Sequence, residues 1–302
     1  MNTGYKAILT EFLTWIDTLG YSNDIINCFR LSVKPFFEWL EEKQIQNISL
    51  LNSKHISDYF KYLETRQNKR IKGRLLSVVH LNKSFYAIDK LLEFLHQYGM
   101  ENAPMPTKRH IKTSETERIL KIEPLTQDEI KTLYNSIENT YLTAPFAERQ
   151  AKHYELRLIF ALFYACGLRL SEGYRLQIKD VDFDKRTVFV EQGKNYKDRI
   201  VPMSNGVYRD LQDYIYNFRH KLKLNHSRLF ISSKTNLNVK LKYLQKACTD
   251  ENIKAKRISM HLLRHSIATH LLQNKMNIEN IALFLGHSSL ESTQIYTHII
   301  NR

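Results

Sequence analysis

The sequence predicts a mainly α-helical chain with one small β-sheet in its second half. Three observations point there. Apolar residues recur at helical spacing along most of the 302 residues, and β-branched and aromatic residues alternate in one short stretch only. A segment with Pro104, Pro106 and several cations separates a nearly neutral first part from a basic second part. A chain of 302 residues suggests two domains. The expected boundaries are a helical domain over 1–102, a basic linker over 103–123 and a mixed α/β domain over 124–302.

Residues 3–18 form the first expected helix, with Ile8, Phe12, Trp15 and Ile16 on one stripe. Residues 22–43 form the second, with Ile26, Phe29, Val33, Phe36, Phe37 and Leu40. Ser53 can cap a third helix running to about Arg66, whose apolar face holds Ile56, Tyr59, Phe60 and Leu63. Residues 65–74, TRQNKRIKGR, read as a basic loop. A fourth helix, about 75–98, carries Leu76, Val79, Leu81, Phe85, Ile88, Leu91, Leu92 and Phe94. No strand is expected in this four-helix unit. In the linker, Lys108, Arg109, His110 and Lys112 make either a basic strap for a DNA backbone or a solvated tether.

The second unit opens on Thr126 and Glu129, spaced as a capping box, and a further helix is expected over about Tyr154–Ala165. Thr187–Val190 alternates as a strand, Gly193-Lys194-Asn195 makes a turn, and Arg199–Pro202 returns. The remainder reads as helical.

The net charge is +14, and the share of Lys and Arg is uneven: residues 1–107 carry a net +2 and the rest a net +12. Such a balance suggests a polyanionic partner, nucleic acid before an anionic membrane. No apolar run is long enough for a membrane span, and Glu11 and Asp17 interrupt any secretory leader. Cys28, Cys166 and Cys248 are sparse and show no CxxC spacing, so reduced core thiols are expected and structural zinc is not.

The residue types that suggest chemistry cluster late. Arg169 lies in CGLRLSE, where Gly167 can end one helix and Ser171 with Glu172 can start another. Its planar fork could meet a phosphate, although an Arg beside a Glu is more commonly a surface ion pair. His261 and Arg264 stand at i and i+3 after Ser259, on one helix face; His265 reads as a packing residue or one that supports the site from behind, and His270 as a satisfied core or surface histidine. Gly286 can end the next helix, holding His287 in the junction before a second capping box, Ser288 to Glu291. Tyr296 follows in the last helix. Two guanidiniums and a lysine would stabilise the charge that grows on the non-bridging oxygens of a phosphodiester. They would do so without a metal. A tyrosine, with an ordinary pKa of about 10, needs such neighbours to become a nucleophile.

GLRLSE (167–172), HLLRHSIATHLL (261–272), LGH (285–287) and IYTH (295–298) together resemble the tyrosine recombinase (phage integrase) family, in its order and spacing, over about residues 124–302. The helical first unit looks like the family's core-binding domain by shape. The resemblance implies a mixed α/β catalytic domain in which Arg169 and Arg264 clamp the scissile phosphate. Lys194 would be the hairpin lysine that protonates the leaving 5′-oxygen, and His261 the acid/base near the nucleophile. His287 would bond a phosphate oxygen, Tyr296 would form the 3′-phosphotyrosine, and Glu172 would support the site. It also implies a site-specific recombinase needing no cofactor and no metal. That enzyme would act in the cytoplasm, at the nucleoid, as a homotetramer on double-stranded DNA with inverted-repeat core sites. Strands would pass through a Holliday junction, with a second related recombinase as a further partner. DNA contacts are expected from Lys69, Arg70, Lys72, Arg74, Lys108 and Arg109. A helix over about 236–248 is another candidate for reading bases.

The sequence departs from the family in three ways. Asn195 stands where the hairpin usually has Gly, which makes Lys197 a rival to Lys194. Gly173-Tyr174 stands where bulkier aliphatic residues are expected, and only six residues follow Tyr296. The last feature leaves open whether Tyr296 acts in its own protomer. The expected lack of a separate N-terminal arm-binding domain places the chain nearer the compact Xer-like members. A type IB topoisomerase and a catalytically inactive DNA-binding regulator are the competing functions.

Overall fold

Helical periodicity builds the first unit as four helices. The computed structural model describes residues 1–69, 71–112, 122–191, 198–222, 224–287 and 290–300. The chain divides into two compact units, Met1–Ser114 and Glu115–Arg302. In the first, α1 spans Thr3–Thr18, α2 Asn23–Glu42, α3 Ser53–Thr65 and α4 Val78–Gln97. Tyr5, Leu9, Phe12 and Ile16 form the buried stripe of α1, and Ile8 and Trp15 pack at its margin. Helix α2 continues through Pro35, whose missing N–H leaves the Leu31 carbonyl without its helical donor on an exposed face. Asn52, one residue before the expected Ser53, caps α3: it accepts from the His55 N–H, and His55 returns the bond. Helix α4 starts at Val78 because the Ser77 side chain takes the His80 N–H. Leu75, expected to be helical, instead pairs with Gln67 as an isolated β-bridge, and Val79 faces solvent. That bridge and the Asn68 N–H to Arg74 carbonyl bond close the basic loop. Lys69, Lys72 and Arg74 are exposed on it, while Arg70 lies outside the described residues.

Residues 104–111, expected to be linker, are held against the first unit by two buried or half-buried polar side chains. Asp89, buried in α4, accepts from the backbone N–H groups of Thr107 (2.7 Å) and Lys108 (2.8 Å). Asn82 bonds both the N–H and the carbonyl of Ile111. Lys108 adopts a left-handed φ of 50°, and Asp89 fixes that turn. The Arg109 guanidinium pairs with Glu64 at 2.5 Å and lies 5.4 Å from the Phe85 ring centre. Residues 113–121 of the segment lie outside the described residues.

The second unit is mainly helical around one core. Its elements are α5 Gln127–Asn135, α6 Phe146–Ile159, α7 Leu170–Arg175, α8 Asn205–Gln212, α9 Lys234–Ala247, α10 Glu251–Ala255, α11 Met260–Gln273, α12 Ile278–Leu285 and α13 Glu291–Ile300. The expected capping box of α5 forms, with Thr126 accepting from Glu129 N–H and Glu129 accepting from Thr126 N–H. Helix α6 begins earlier than expected and passes into a π-helical turn, Phe160–Ala165; α8 does the same over Asp213–Phe218.

Strands β1 Val181–Asp182, β2 Thr187–Val190 and β3 Arg199–Pro202 form one antiparallel sheet in that order, with Val190 opposite Arg199. The β1 strand was not anticipated. The turn over 193–195, with Lys194, Asn195 and Lys197, lies outside the described residues. Residues 224–233, expected to be helical, form loops before α9. Of the cysteines, Cys166 and Cys248 are buried as expected, whereas Cys28 is exposed. No described helix is long and apolar enough to cross a membrane.

Candidate active site

The site is built on a short turn. Helix α12 ends at Gly286, which adopts a left-handed φ of 67° that an L side chain rarely takes. The last carbonyls of a helix have no partner within it. Here three successive carbonyls each receive a guanidinium. Arg199 Nε donates to the Phe284 carbonyl (3.1 Å), Arg264 Nη2 to Leu285 (2.8 Å), and Arg169 Nη2 to Gly286 (3.0 Å). The negative end of the α12 dipole also favours these cations. His287 follows immediately.

Each arginine arrives from a different element. Arg169 is itself the N-cap of α7, displacing the expected Ser171 from that role, and Glu172 accepts its backbone N–H at 2.9 Å. Gly167, with φ 60°, lets the chain turn into α7 against α12; a Cβ there would lie 2.8 Å from Leu285 Cδ2. Its carbonyl accepts from Arg264 Nη1 at 2.5 Å. Gly173, where bulk was expected, is required by packing: a Cβ would stand 2.4 Å from Phe163 Cε1.

Glu172 is buried and joins the cluster. Its Oε1 lies 2.7 Å from Arg169 Nη1, and its Oε2 lies 2.9 Å from Arg199 Nη2 and 3.9 Å from Arg264 Nη1. Burial alone would raise its pKa. The bond and charge of Arg199 outweigh that, aided by Arg169, and hold it at about 2. Arg264 and Arg199 are buried, whereas the Arg169 side chain keeps 29% of its surface exposed. Burial, then the charge of Arg169, brings Arg264 down to about 10, still protonated at neutral pH.

Tyr296 comes from α13 and is buried among Ala268, Ile281 and Leu285. Its hydroxyl lies 3.0 Å from Nδ1 of His265, the residue one helical turn past His261. Burial pushes the phenol up to about 12, against the pull of Arg264 and Arg169. Burial also lowers His265, to about 4, so it is neutral beside the phenol. His287 stacks nearly parallel to the Tyr296 ring (11°, centres 6.4 Å apart) and bonds Thr293 Oγ1 at 2.7 Å. Burial and then the Arg264 charge lower it to about 3. His261 stands exposed at the start of α11, which Ser259 caps. Partial desolvation, then Arg264 and Arg169, lower its pKa too.

Arg169, Glu172, Arg264, His287 and Tyr296 therefore meet, with His261 within electrostatic reach of the two arginines. Lys194 and the Ser288 cap lie outside the described residues, as do the side chains of Glu291 and His298. Two residues were not singled out from sequence. For His265 the sequence leaves packing or support of the site open without naming its partner, and Arg199 reads as an ordinary strand residue. The signal for Arg199 was present: the β3 alternation that buries Val201 also buries Arg199, and a buried guanidinium requires acceptors. His270, read as a satisfied core or surface histidine, is buried and bonded to Tyr164 at 2.9 Å.

The fold is shared with site-specific recombinases. The XerH site-specific recombinase, in a pre-cleavage complex with its difH substrate, matches with a TM-score of 0.68 at 18% identity, over 90% of this chain and 76% of that one. A lambda integrase dimer bound to a COC′ core site matches with a TM-score of 0.62 at 14% identity, over 96% of this chain and 76% of that one. At sequence level the chain is 29% identical to tyrosine recombinase XerD of Staphylococcus epidermidis, covering 97% of this chain and 94% of the relative. It is 30% identical to a tyrosine recombinase of Pseudothermotoga lettingae, covering 89% and 85% respectively. The phage integrase family model matches residues 123–302. The chain belongs to the phage integrase family.

Proposed function

We propose that this protein is a site-specific DNA recombinase that cuts and rejoins duplex DNA through a phosphotyrosine. The observation that supports it best is the convergence of Tyr296, His265 and His287 with the arginine cluster at the end of α12. Its named relatives are tyrosine recombinases.

In the proposed reaction the Tyr296 oxygen attacks the scissile phosphorus and loses its proton to a neighbouring base. The bond to the 5′-oxygen breaks, and that oxygen leaves with a proton from Lys194. Arg169 and Arg264 stabilise charge on the non-bridging oxygens, His287 bonds one of them, and His261 relays protons. Glu172 holds the arginines. The phosphotyrosine conserves the energy of the broken bond, so a 5′-hydroxyl from another duplex can reverse the step without ATP. Four protomers on inverted-repeat core sites would exchange strands in two rounds through a Holliday junction, alone or with a related recombinase, at the nucleoid. Lys69, Arg70, Lys72, Arg74 and Lys108 would contribute DNA contacts from the first unit.

Tyr296→Phe tests the assignment on a nicked suicide duplex. The variant should bind DNA as wild type does and form no covalent adduct. Persistence of the adduct would remove Tyr296 as nucleophile. Relaxation of supercoiled plasmid irrespective of sequence would instead indicate a topoisomerase.

A further inference from the structure

Arg199 has the surroundings of a working part, and the proposed chemistry gives it no role. It opens β3 opposite Val190, and the alternation of that strand points it inward, where its side chain is 6% exposed. Nη2 donates to Glu172 Oε2 at 2.9 Å and Nε to the Phe284 carbonyl at 3.1 Å. Nη1 is buried and has no partner among the described residues.

A buried guanidinium is by itself a poor device for stability. Apolar replacement of a buried ion pair is frequently neutral or stabilising. Its value lies in what it does to the one carboxylate it shares. Glu172 faces three guanidiniums with two oxygens. Arg199 holds Oε2 at 2.9 Å, while Arg264 Nη1 stays 3.9 Å from the same oxygen and donates to the Gly167 carbonyl instead. Without Arg199, Oε2 would be free to close on Arg264. Glu172 would then neutralise both cations expected to meet the phosphate. With Arg199 in place, three positive charges share one negative charge, and the surplus remains on Arg169 and Arg264. The bond to Phe284 fixes this arrangement to the turn that carries His287.

We infer that Arg199 is a positioning residue of the phosphate clamp, engaging Glu172 so that Arg169 and Arg264 keep their positive charge for the scissile phosphate. The inference rests on the reading of Arg169 and Arg264 as ligands of that phosphate.

The test is single-turnover adduct formation by the full chain. The substrate is a nicked duplex carrying the site that the protein selects from a random-sequence pool. It is prepared with a native scissile phosphate, with a methylphosphonate, which lacks one negative charge, and with a 5′-bridging phosphorothiolate, whose leaving group needs no acid. Arg199→Met should slow native cleavage by about 10–100-fold, less than loss of a direct electrostatic donor. On the methylphosphonate it should cleave within about threefold of wild type, because the less charged transition state needs less cation. The phosphorothiolate should leave the deficit in place. An equal deficit on all three substrates, or rescue by the phosphorothiolate alone, would overturn the inference.

Arg199→Lys retains the charge but cannot reach Glu172 and Phe284 together. It should show a smaller native deficit that the methylphosphonate also removes, and it decides the matter if Arg199→Met does not fold. An undiminished rate in Arg199→Lys on native DNA, together with failure of Arg199→Met to fold, would likewise overturn it. Arg169→Ala, run in parallel, separates the two levels. A wild-type rate in that variant would defeat the clamp reading itself. A charge-rescued deficit in Arg169→Ala without one in the Arg199 variants would defeat only the present inference.

Discussion

The Nδ1 atom of His265 is hydrogen-bonded to the Tyr296 hydroxyl at 3.0 Å, from a position one helical turn past His261 on α11. The pair is neutral on both sides, since burial raises the phenol to about 12 and lowers the imidazole to about 4. His265→Ala should therefore slow adduct formation by about tenfold or more by freeing the buried hydroxyl. His265→Asn, whose amide can stand near Nδ1, should recover most of that loss. In the DNA-free protein, the ring resonances of His265 and His287 should not titrate between pH 8 and 5 by NMR. A transition near 6.5 for either ring would contradict the burial described for it.

Acid should weaken the second unit from several groups acting in the same direction. The Glu172 carboxyl is held at about 2, against an ordinary value of 4.5. Its contribution is complete above 4.5 and is lost as pH falls towards 2. For His265 and His287 the folded values lie below 6.5, so their contribution is present above 6.5 and is lost as pH falls through about 4 and 3. Loss of the Glu172 contribution alone amounts to about 3 kcal/mol. Glu172→Gln should flatten the acid limb of a stability–pH curve below 4.5, and cost about 3–5 kcal/mol near neutrality by leaving buried guanidiniums unpaired. An unaltered acid limb in that variant would place the effect elsewhere.

Gly173→Ala should destabilise the protein by about 1–3 kcal/mol, because the new methyl would drive into the Phe163 ring. Thermal melts check the magnitude. Adding Phe163→Leu should return part of the loss if that contact is the cause.

The basic residues of the first unit should fall into two kinds. Lys69, Lys72 and Arg74 are exposed and free to meet phosphates, so each alanine substitution should lower the salt slope of DNA binding by about one. Arg109 is engaged with Glu64 and lies over Phe85. Arg109→Ala should lower the melting temperature and leave the salt slope nearly unchanged. A slope change equal to that of Lys72→Ala would give it a direct DNA contact.

What could be read from sequence follows the range of the forces involved. Caps and helical stripes are local, so the Thr126–Glu129 box, the α3 face and the Gly286 terminus were legible. Arg169 and Gly286 stand 117 positions apart, and only the family resemblance anticipated their coming together. His265 escaped because helical spacing says which residues share a face, not what that face meets: its partner lies 31 residues on, in another helix. Gly173 looked like a weakness in α7 because the Phe163 ring that requires it comes from the preceding π-helical turn. Residues 104–111 read as linker, either strap or tether, because two prolines forbid helix. Nothing local shows that Asp89 and Asn82 hold the extended chain.

The three carbonyls of Phe284, Leu285 and Gly286 have a consequence for how this chain can vary. Each is assigned to one arginine, and the three arginines come from distant segments. Adding or deleting a single residue within Phe284–Gly286 would shift these carbonyls against the arginines they serve. Side chains along α12 can drift, as the 74% exposed Leu283 shows room to do, but the spacing of this turn cannot. Length, more than residue identity, is what selection would have to guard there.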